Sequence, residues 1–285
     1  MAKIRISVII PTHDWSTLKR SLLSIKKQTL IPHEIIVVDN ASKKNDYEKI
    51  RRLGVKIYRN EVNLGAAGGR NSGIEQASKK SNYLFFFDHD MVADKFMLEE
   101  LVKVAGANRK IGIVTPRIYY LSDKRRIWSA GTNINLLTGR ITFRSGKDVG
   151  QYEISEEVQV APAALLVKRQ VIDKVGGFDD IYFATYEDTD FCFRAKRAGF
   201  LTYYSPRAIA YHDTPADFRK ESERLLTRTY WVGRNRIIFL KRFGYKTSLL
   251  FTPVYMFYYL MLALRFNRIN AFFDFMKGTI TGFLT

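Results

Sequence analysis

The sequence predicts an α/β protein built on a doubly wound, mostly parallel sheet. Short apolar runs alternate with helical stretches from residue 4 to residue 115. Runs such as Leu84–Phe87 are continuously apolar, as suits a central strand buried on both faces. Three of the runs end abruptly in polar groups, and ligands of such sheets bind beyond the carboxyl ends of the strands.

The elements follow in order. Ile4–Ile10 reads as the first strand and Leu18–Lys27 as a helix capped by Ser16 or Thr17. Glu34–Asp39 is the second strand, Asp46–Leu53 a helix and Val55–Arg59 the third strand. Gly68–Ser78 is helical, Tyr83–Phe87 the fourth strand, Asp94–Ala105 a helix and Ile111–Thr115 the fifth strand. After Pro116 the alternation stops, leaving loops and short strands at Ile118–Leu121 and Arg140–Arg144. A buried strand is expected over Val158–Val167, then a turn at Gly176-Gly177-Phe178-Asp179 and a helix over Asp188–Ala198 ending at Gly199. Composition shifts near residue 216. This gives a first domain at 1–216, with a nucleotide-binding half at 1–116 and an acceptor half at 117–216, and a helical tail at 217–285.

The chain has 285 residues and a net charge of +18, which calls for an anionic partner: nucleic acid, anionic lipid or a phosphorylated substrate. One cysteine, Cys192, excludes an internal disulfide framework, and its neighbours Phe191 and Phe193 make it a packing residue. The start of the chain is too short in apolar residues for a signal peptide. Much of the excess charge lies in the tail, where Arg219, Lys220, Arg224, Arg228, Arg234, Arg236, Lys241, Arg242 and Lys246 interleave with aromatic residues. The uncharged stretch Ser248–Leu264 is short for a span and contains Pro253, so an interfacial helix fits it better. The tail is expected to dock on an anionic membrane surface, the inner face of the cell membrane for a cytoplasmic protein. The alternatives are packing on its own domain or formation of a homodimer.

Asp88 and Asp90 end the fourth strand one residue apart. Carboxylates so placed resist joint ionisation unless a cation lies between them, which points to Mn²⁺ or Mg²⁺ shared with a diphosphate. A solvated turn is the plain alternative. His89 between them is expected on the opposite side of an extended chain. Pro11, Thr12 and Asp14 after strand one, and Asp39 ending strand two, suit nucleotide binding, although Asp39 also suits a turn cap. No Gly-x-Gly-x-x-Gly follows strand one, which removes the dinucleotide reading. The glycines come later, in Asn63-Leu-Gly65-Ala-Ala-Gly68-Gly69-Arg70-Asn71-Ser-Gly73, where small residues admit a ligand and Arg70 can grip a phosphate. The same segment can instead be a turn packed beneath the sheet. Glu187, Asp188 and Asp190 gather at a helix start, one of them suited to act as a base and Asp190 placed to pair with Arg194. His212 ends an apolar run and can complete a metal shell or serve as a cap.

In order and spacing, these motifs resemble the family 2 glycosyltransferases of the GT-A fold, rhamnosyltransferases among them, over roughly residues 4–215. The match runs through Ser7-Val-Ile-Ile-Pro-Thr12, Glu34-Ile-Ile-Val-Val-Asp39-Asn-Ala-Ser42, the Asn63–Gly73 segment and Asp88-His89-Asp90. It continues through Ala163-Ala-Leu-Leu-Val-Lys168, Gly177-Phe178-Asp179 and Glu187-Asp188-Thr-Asp190-Phe-Cys-Phe-Arg194. The resemblance implies a nucleotide-sugar donor, dTDP- or UDP-linked, with Asp39 on the base or ribose. It implies a divalent metal on the Asp-x-Asp, with Asp90 more than Asp88 its direct ligand, and His212 reaching the metal or diphosphate. It implies inversion, with Asp188 of the Glu187-Asp188 pair as base, and a glycan or lipid-linked acceptor. A nucleic-acid binder leaves the long apolar segment unexplained, and a nucleotidyltransferase calls for the missing glycine loop. A non-catalytic sugar-binding relative would not need the full set of acids.

Overall fold

The computed structural model describes residues 4–285, the side chain of Phe218 excepted; Met1–Lys3, expected to lead into the first strand, lie outside the described residues. The first half runs β1 (Ile6–Thr12), α1 (Leu18–Lys26), β2 (Glu34–Asn40), α2 (Tyr47–Arg51), β3 (Lys56–Asn60), α3 (Gly65–Gln76), β4 (Tyr83–Phe87), β5 (Met91–Ala93), α4 (Met97–Ala107) and β6 (Ile111–Tyr120). Then come β7 (Arg126–Ser129), β8 (Thr132–Ile134), β9 (Ile141–Phe143), β10 (Gly146–Lys147), β11 (Glu156–Val158), β12 (Ala164–Lys168), α5 (Arg169–Val175), α6 (Glu187–Arg197) and β13 (Leu201–His212). The tail holds α7 (Phe218–Leu226), α8 (Thr229–Phe243), a 3₁₀ turn (Lys246–Phe251), α9 (Thr252–Arg265) and α10 (Ile269–Leu284).

The sheet is mixed around a parallel centre. Its order is β10-β7-β6-β12-β4-β1-β2-β3, with β13 parallel to β6 and both β5 and β11 antiparallel to β13. The strands β4, β1, β2 and β3 are mutually parallel, so Thr12, Asp39 and Asp88 emerge at the same edge. Strand β12 lies between β4 and β6, antiparallel to both. It is the second part of the strand expected over Val158–Val167. That run breaks because Pro162 donates no N–H and Ala163 turns at φ 61°.

Helices α1 and α4 cover one face, packing Leu22, Ile25, Leu98 and Leu101 against Val8, Phe85 and Phe87. The other face packs Ile9, Leu84 and Phe86 with Phe178, Phe191 and, from α8, Ile238, Phe239, Leu240 and Phe243. Buried apolar side chains of this size stabilise by about 1.5–3 kcal/mol each, so α8 belongs to the folded body although it lies past residue 216. Cys192 is buried in this layer, and burial pushes its thiol up to about 12.

Helix α3 begins at Gly65, three residues before the expected start. Asn63 Oδ1 accepts from Gly65 N at 2.9 Å, Asn40 Oδ1 from Leu64 N at 3.0 Å and the Phe183 carbonyl from Ala66 N at 2.7 Å, which gives partners to N–H groups at its start. A side chain at Gly65 would meet the Phe183 carbonyl at 2.1 Å, and φ there is +73°. At the start of α1, Thr17 stands at the cap position. Its hydroxyl donates to the His89 carbonyl at 3.0 Å instead of capping, which ties the loop after β1 to the loop after β4.

Candidate functional site

The parallel centre delivers one polar edge. Thr12 lies level with Asp39, and Asp39 with Arg59. The Thr12 hydroxyl donates to the Asp14 carbonyl at 2.5 Å, and the Asp14 carboxylate accepts from the Ser16 N–H and hydroxyl at 3.0 and 2.9 Å. Asp39 is buried and accepts from Ser42 N at 2.9 Å, from the Tyr47 hydroxyl and from Arg59. Burial opposes ionisation of Asp39, but these partners hold its carboxyl below the usual range. Trp15 sits edge-on to Tyr47, with centroids 5.1 Å apart, so an aromatic wall stands beside this carboxylate. The imidazoles of His13 and His89 meet edge to face at 6.0 Å on the neighbouring loops.

The centre of the site is Arg70. It projects from α3 and is 3% exposed. Its Nη1 donates to Glu187 Oε1 at 2.7 Å and its Nη2 to Asp88 Oδ1 at 3.1 Å, while its guanidinium lies over the Phe178 ring. The expected phosphate grip therefore gives way to a different role. Both ends of the fork are committed to carboxylates, one on the strand side and one on the α6 side. Gly68 is likewise a packing residue, since a side chain there would run into Leu64 Cβ at 2.5 Å. A side chain at Gly73 would meet Ile9 Cγ2 at 2.2 Å and one at Gly69 the Pro11 Cβ at 3.1 Å, so these two glycines seat α3 on β1.

Glu187 and Asp188 open α6. Two consecutive non-glycine residues before them, Thr185 and Tyr186, take left-handed φ values of 64° and 68°. Such residues cost on the order of 1–3 kcal/mol each and persist only where neighbours hold them. Asn235 of α8, fully buried, does so by donating to the Ala184 and Thr185 carbonyls at 2.7 and 3.0 Å. Asp188 accepts from Thr189 N at 2.7 Å. Burial first, and then the Glu187 charge, push its carboxyl up to about 7, against the pull of Arg70 and Thr189. Asp190 is fully buried and held by Arg194 at 2.6 Å and Arg242 at 3.2 Å, the ion pair its spacing suggested.

Across the edge, β5 runs antiparallel to β13 and sets His212 opposite Met91. His212 Nε2 stands 3.3 Å from Asp90 Oδ2. The His212 imidazole is buried and packs edge-on to Trp128 at 4.6 Å. Burial opposes ionisation of Asp90, but His212, His89 and Arg224 hold its carboxyl well below the usual range. Among the described residues, no group of three His, Cys, Asp or Glu is gathered for a metal ion, and Asp88 is paired with Arg70. The donor chemistry still fits one. Asp90 and His212 face each other at the separation of two ligands of one ion, and oxygen and imidazole donors suit Mn²⁺.

One residue assigned by the sequence to a membrane-facing tail stands here instead. Arg224 donates to the Thr214 hydroxyl and approaches Asp90 at 3.9 Å. Burial and Arg224 push the Arg228 pKa down, while Asp88, Glu187 and Asp90 act the other way, so Arg228 also feels the acidic cluster. Arg234, Arg236 and Arg242 are engaged within the fold, with the carbonyls of Ile181 and Thr138 and with Asp179.

Comparison with known proteins bears on the family and the fold. The family model described as Glycosyl transferase family 2 matches residues 7–176. The chain is 26% identical over 223 residues to a pre-mycofactocin glycosyltransferase of Mycobacterium tuberculosis, covering 75% of this chain and 44% of that protein. It is 22% identical over 251 residues to a chondroitin synthase of Escherichia coli, covering 77% and 36%. The chain thus spans less than half the length of these curated relatives. Among solved structures it resembles GalNAc-T7 with UDP, GalNAc and Mn²⁺, with a TM-score of 0.60 at 17% identity over 93% of this chain and 55% of that one. That likeness concerns the fold.

Proposed function

The chain belongs to glycosyl transferase family 2, and we propose that it moves a sugar from a nucleotide-diphosphate donor to a hydroxyl acceptor with inversion at the anomeric carbon. The observation that carries this reading is the single guanidinium of Arg70 bridging Glu187, beside the candidate base, and Asp88, of the candidate diphosphate site.

In this reading Pro11, Thr12, Asp14, Asp39 and Asn63 line the nucleotide end, with Asp39 turned to the base or ribose by Tyr47 and Arg59. Asp88, Asp90 and His212 would hold Mn²⁺ or Mg²⁺, which when bound neutralises charge on the departing diphosphate. His89, whose carbonyl is held by the Thr17 hydroxyl, stands between the two acids in sequence, Arg70 joins Asp88 to Glu187, and Gly68 lets the start of α3 pack. Asp188 removes the proton of the acceptor hydroxyl. The freed oxygen attacks the anomeric carbon from the face opposite the diphosphate, whose C–O bond breaks as the new one forms. Nucleoside diphosphate leaves with the bonding electrons. A direct displacement needs one carboxylate base and no covalent sugar–enzyme bond. A base with its pKa near 7 is matched to neutral pH.

The acceptor is taken to be a glycan or a lipid-linked glycan, with the enzyme on the cytoplasmic face of a membrane. The division at residue 216 is read as functional: 1–116 binds the donor, 117–216 the acceptor, and 217–285 supplies Asn235 and the membrane-facing or dimerising helices. Titration of UDP and dTDP into the protein with Mn²⁺ and with a chelator tests the metal–diphosphate assignment. Asp90→Ala is expected to weaken Mn²⁺-supported nucleotide binding by about tenfold or more, while binding in chelator changes little. Equal binding by wild type and variant with Mn²⁺ would remove Asp90 from the site.

A further inference from the structure

The helical hairpin α9–α10 presents an apolar surface that the fold leaves uncovered. On the 3₁₀ turn and α9, Leu250, Val254, Phe257, Tyr258, Met261 and Leu264 recur at helical spacing and are 43–75% exposed. On α10, Phe273, Ile280 and Phe283 continue as a second exposed stripe. Scattered exposed apolar residues are ordinary, but two whole stripes on one hairpin mark a docking surface.

Its charge selects the occupant. Residues 246–285 carry Lys246, Arg265, Arg268 and Lys277 and one acid, Asp274. Pairing this face with a second copy about a two-fold axis would bring bases against bases. The small residues that could let helices approach closely are already spent inward. A side chain at Gly278 would meet the Tyr230 carbonyl at 2.0 Å, and one at Gly282 the Arg234 carbonyl at 2.5 Å. What remains outward is bulky, apolar and ringed by cations, which matches an anionic lipid surface.

The hairpin lies on that surface and does not cross it. Lys246–Arg265 is long and apolar enough to span, with a mean hydropathy of 1.5 over its best window. Yet its inner face is moored to the folded body. The Arg236 guanidinium, buried and bonded to the Thr138 carbonyl at 2.9 Å, stacks on the Tyr255 ring at 3.9 Å. Tyr259 stacks on Phe275 of α10 at 4.1 Å, and α10 in turn lies against α8, where a side chain at Gly233 would meet the Phe275 carbonyl at 2.5 Å. Insertion across a bilayer would strip these contacts and leave the Arg236 cation without them. We infer that α9 and α10 form an amphipathic docking face that binds anionic lipid bilayers in the interfacial plane. This rests on the membrane placement proposed above, decides between its membrane-facing and dimerising forms, and is measured without turnover.

The test uses the full chain with vesicles of phosphatidylcholine alone or with phosphatidylglycerol, read by co-sedimentation. Wild type is expected to bind the anionic vesicles at least about tenfold more tightly, with binding that falls as salt rises. The double variant F257E/M261E is expected to lose about tenfold or more of that binding, with unchanged nucleotide titration and thermal melt. No binding by wild type, or equal binding by F257E/M261E, overturns the inference. A wild-type dimer in light scattering that F257E/M261E breaks into monomers, without vesicle binding, assigns the face to a second copy and also overturns it.

Discussion

Asp188→Asn is expected to lower the rate of sugar transfer by about two to four orders of magnitude, with nucleotide-sugar binding retained within a few fold. The substitution keeps the shape and the Thr189 hydrogen bond but removes the basic oxygen. The same carboxyl sets the pH dependence. Protonated, Asp188 cannot accept the acceptor's proton; ionised, it can. Its carboxyl is pushed up to about 7, so wild-type kcat/KM is expected to fall as pH drops below that value and to level off above it. Steady-state kinetics across pH 5–9, beside a donor titration of both proteins, gives the check. Normal transfer by Asp188→Asn would move the base to Glu187, because Asp190 is sealed between Arg194 and Arg242.

Arg70→Met should be the most destabilising single change at the site. It leaves Glu187 and Asp88 without their shared cation, and removing one partner of a buried ion pair costs about 3–5 kcal/mol. That is a large part of a typical stability of about 5–15 kcal/mol. It also takes away the positive charge that opposes the rise of the Asp188 pKa, so the acidic limb of the rate profile should move to higher pH. Arg70→Lys keeps the charge but loses the fork, and should restore the limb more fully than the stability. Urea denaturation and the pH profile of these variants read the two effects separately. A loss of stability below about 1 kcal/mol with an unmoved limb would mean that Arg70 bridges nothing of consequence.

The parts of this site written into local sequence were legible. A strand such as Tyr83–Phe87 declares itself by four buried apolar residues in a row, and Asp88 and Asp90 by ending it. Asp190 and Arg194 sit one helical turn apart, so their pairing was legible as well. Features that depend on distant segments were not. Strand β12 enters between β4 and β6 although it follows both in the chain, after β7 to β11, and no local period encodes that insertion. An arginine after glycines looks the same whether it meets a phosphate or two carboxylates, and only the seating of α3 on β1 decided it for Arg70. Asn235 bonds backbone carbonyls 50 residues earlier, and its neighbours carry no mark of that. The basic tail illustrates the limit of charge counting. Net charge is indifferent to direction, so Arg224, which approaches Asp90, counted the same as Lys246, which is exposed on the surface.

Release of nucleoside diphosphate from a panel of UDP- and dTDP-sugars, with Mn²⁺ or Mg²⁺ and with a chelator, tests the central claim most directly. The purified full chain is expected to turn over at least one donor only with metal, and Asp90→Ala to lose that turnover. Neither binding nor turnover of any nucleotide sugar, or release that persists in chelator and in Asp90→Ala, would contradict it.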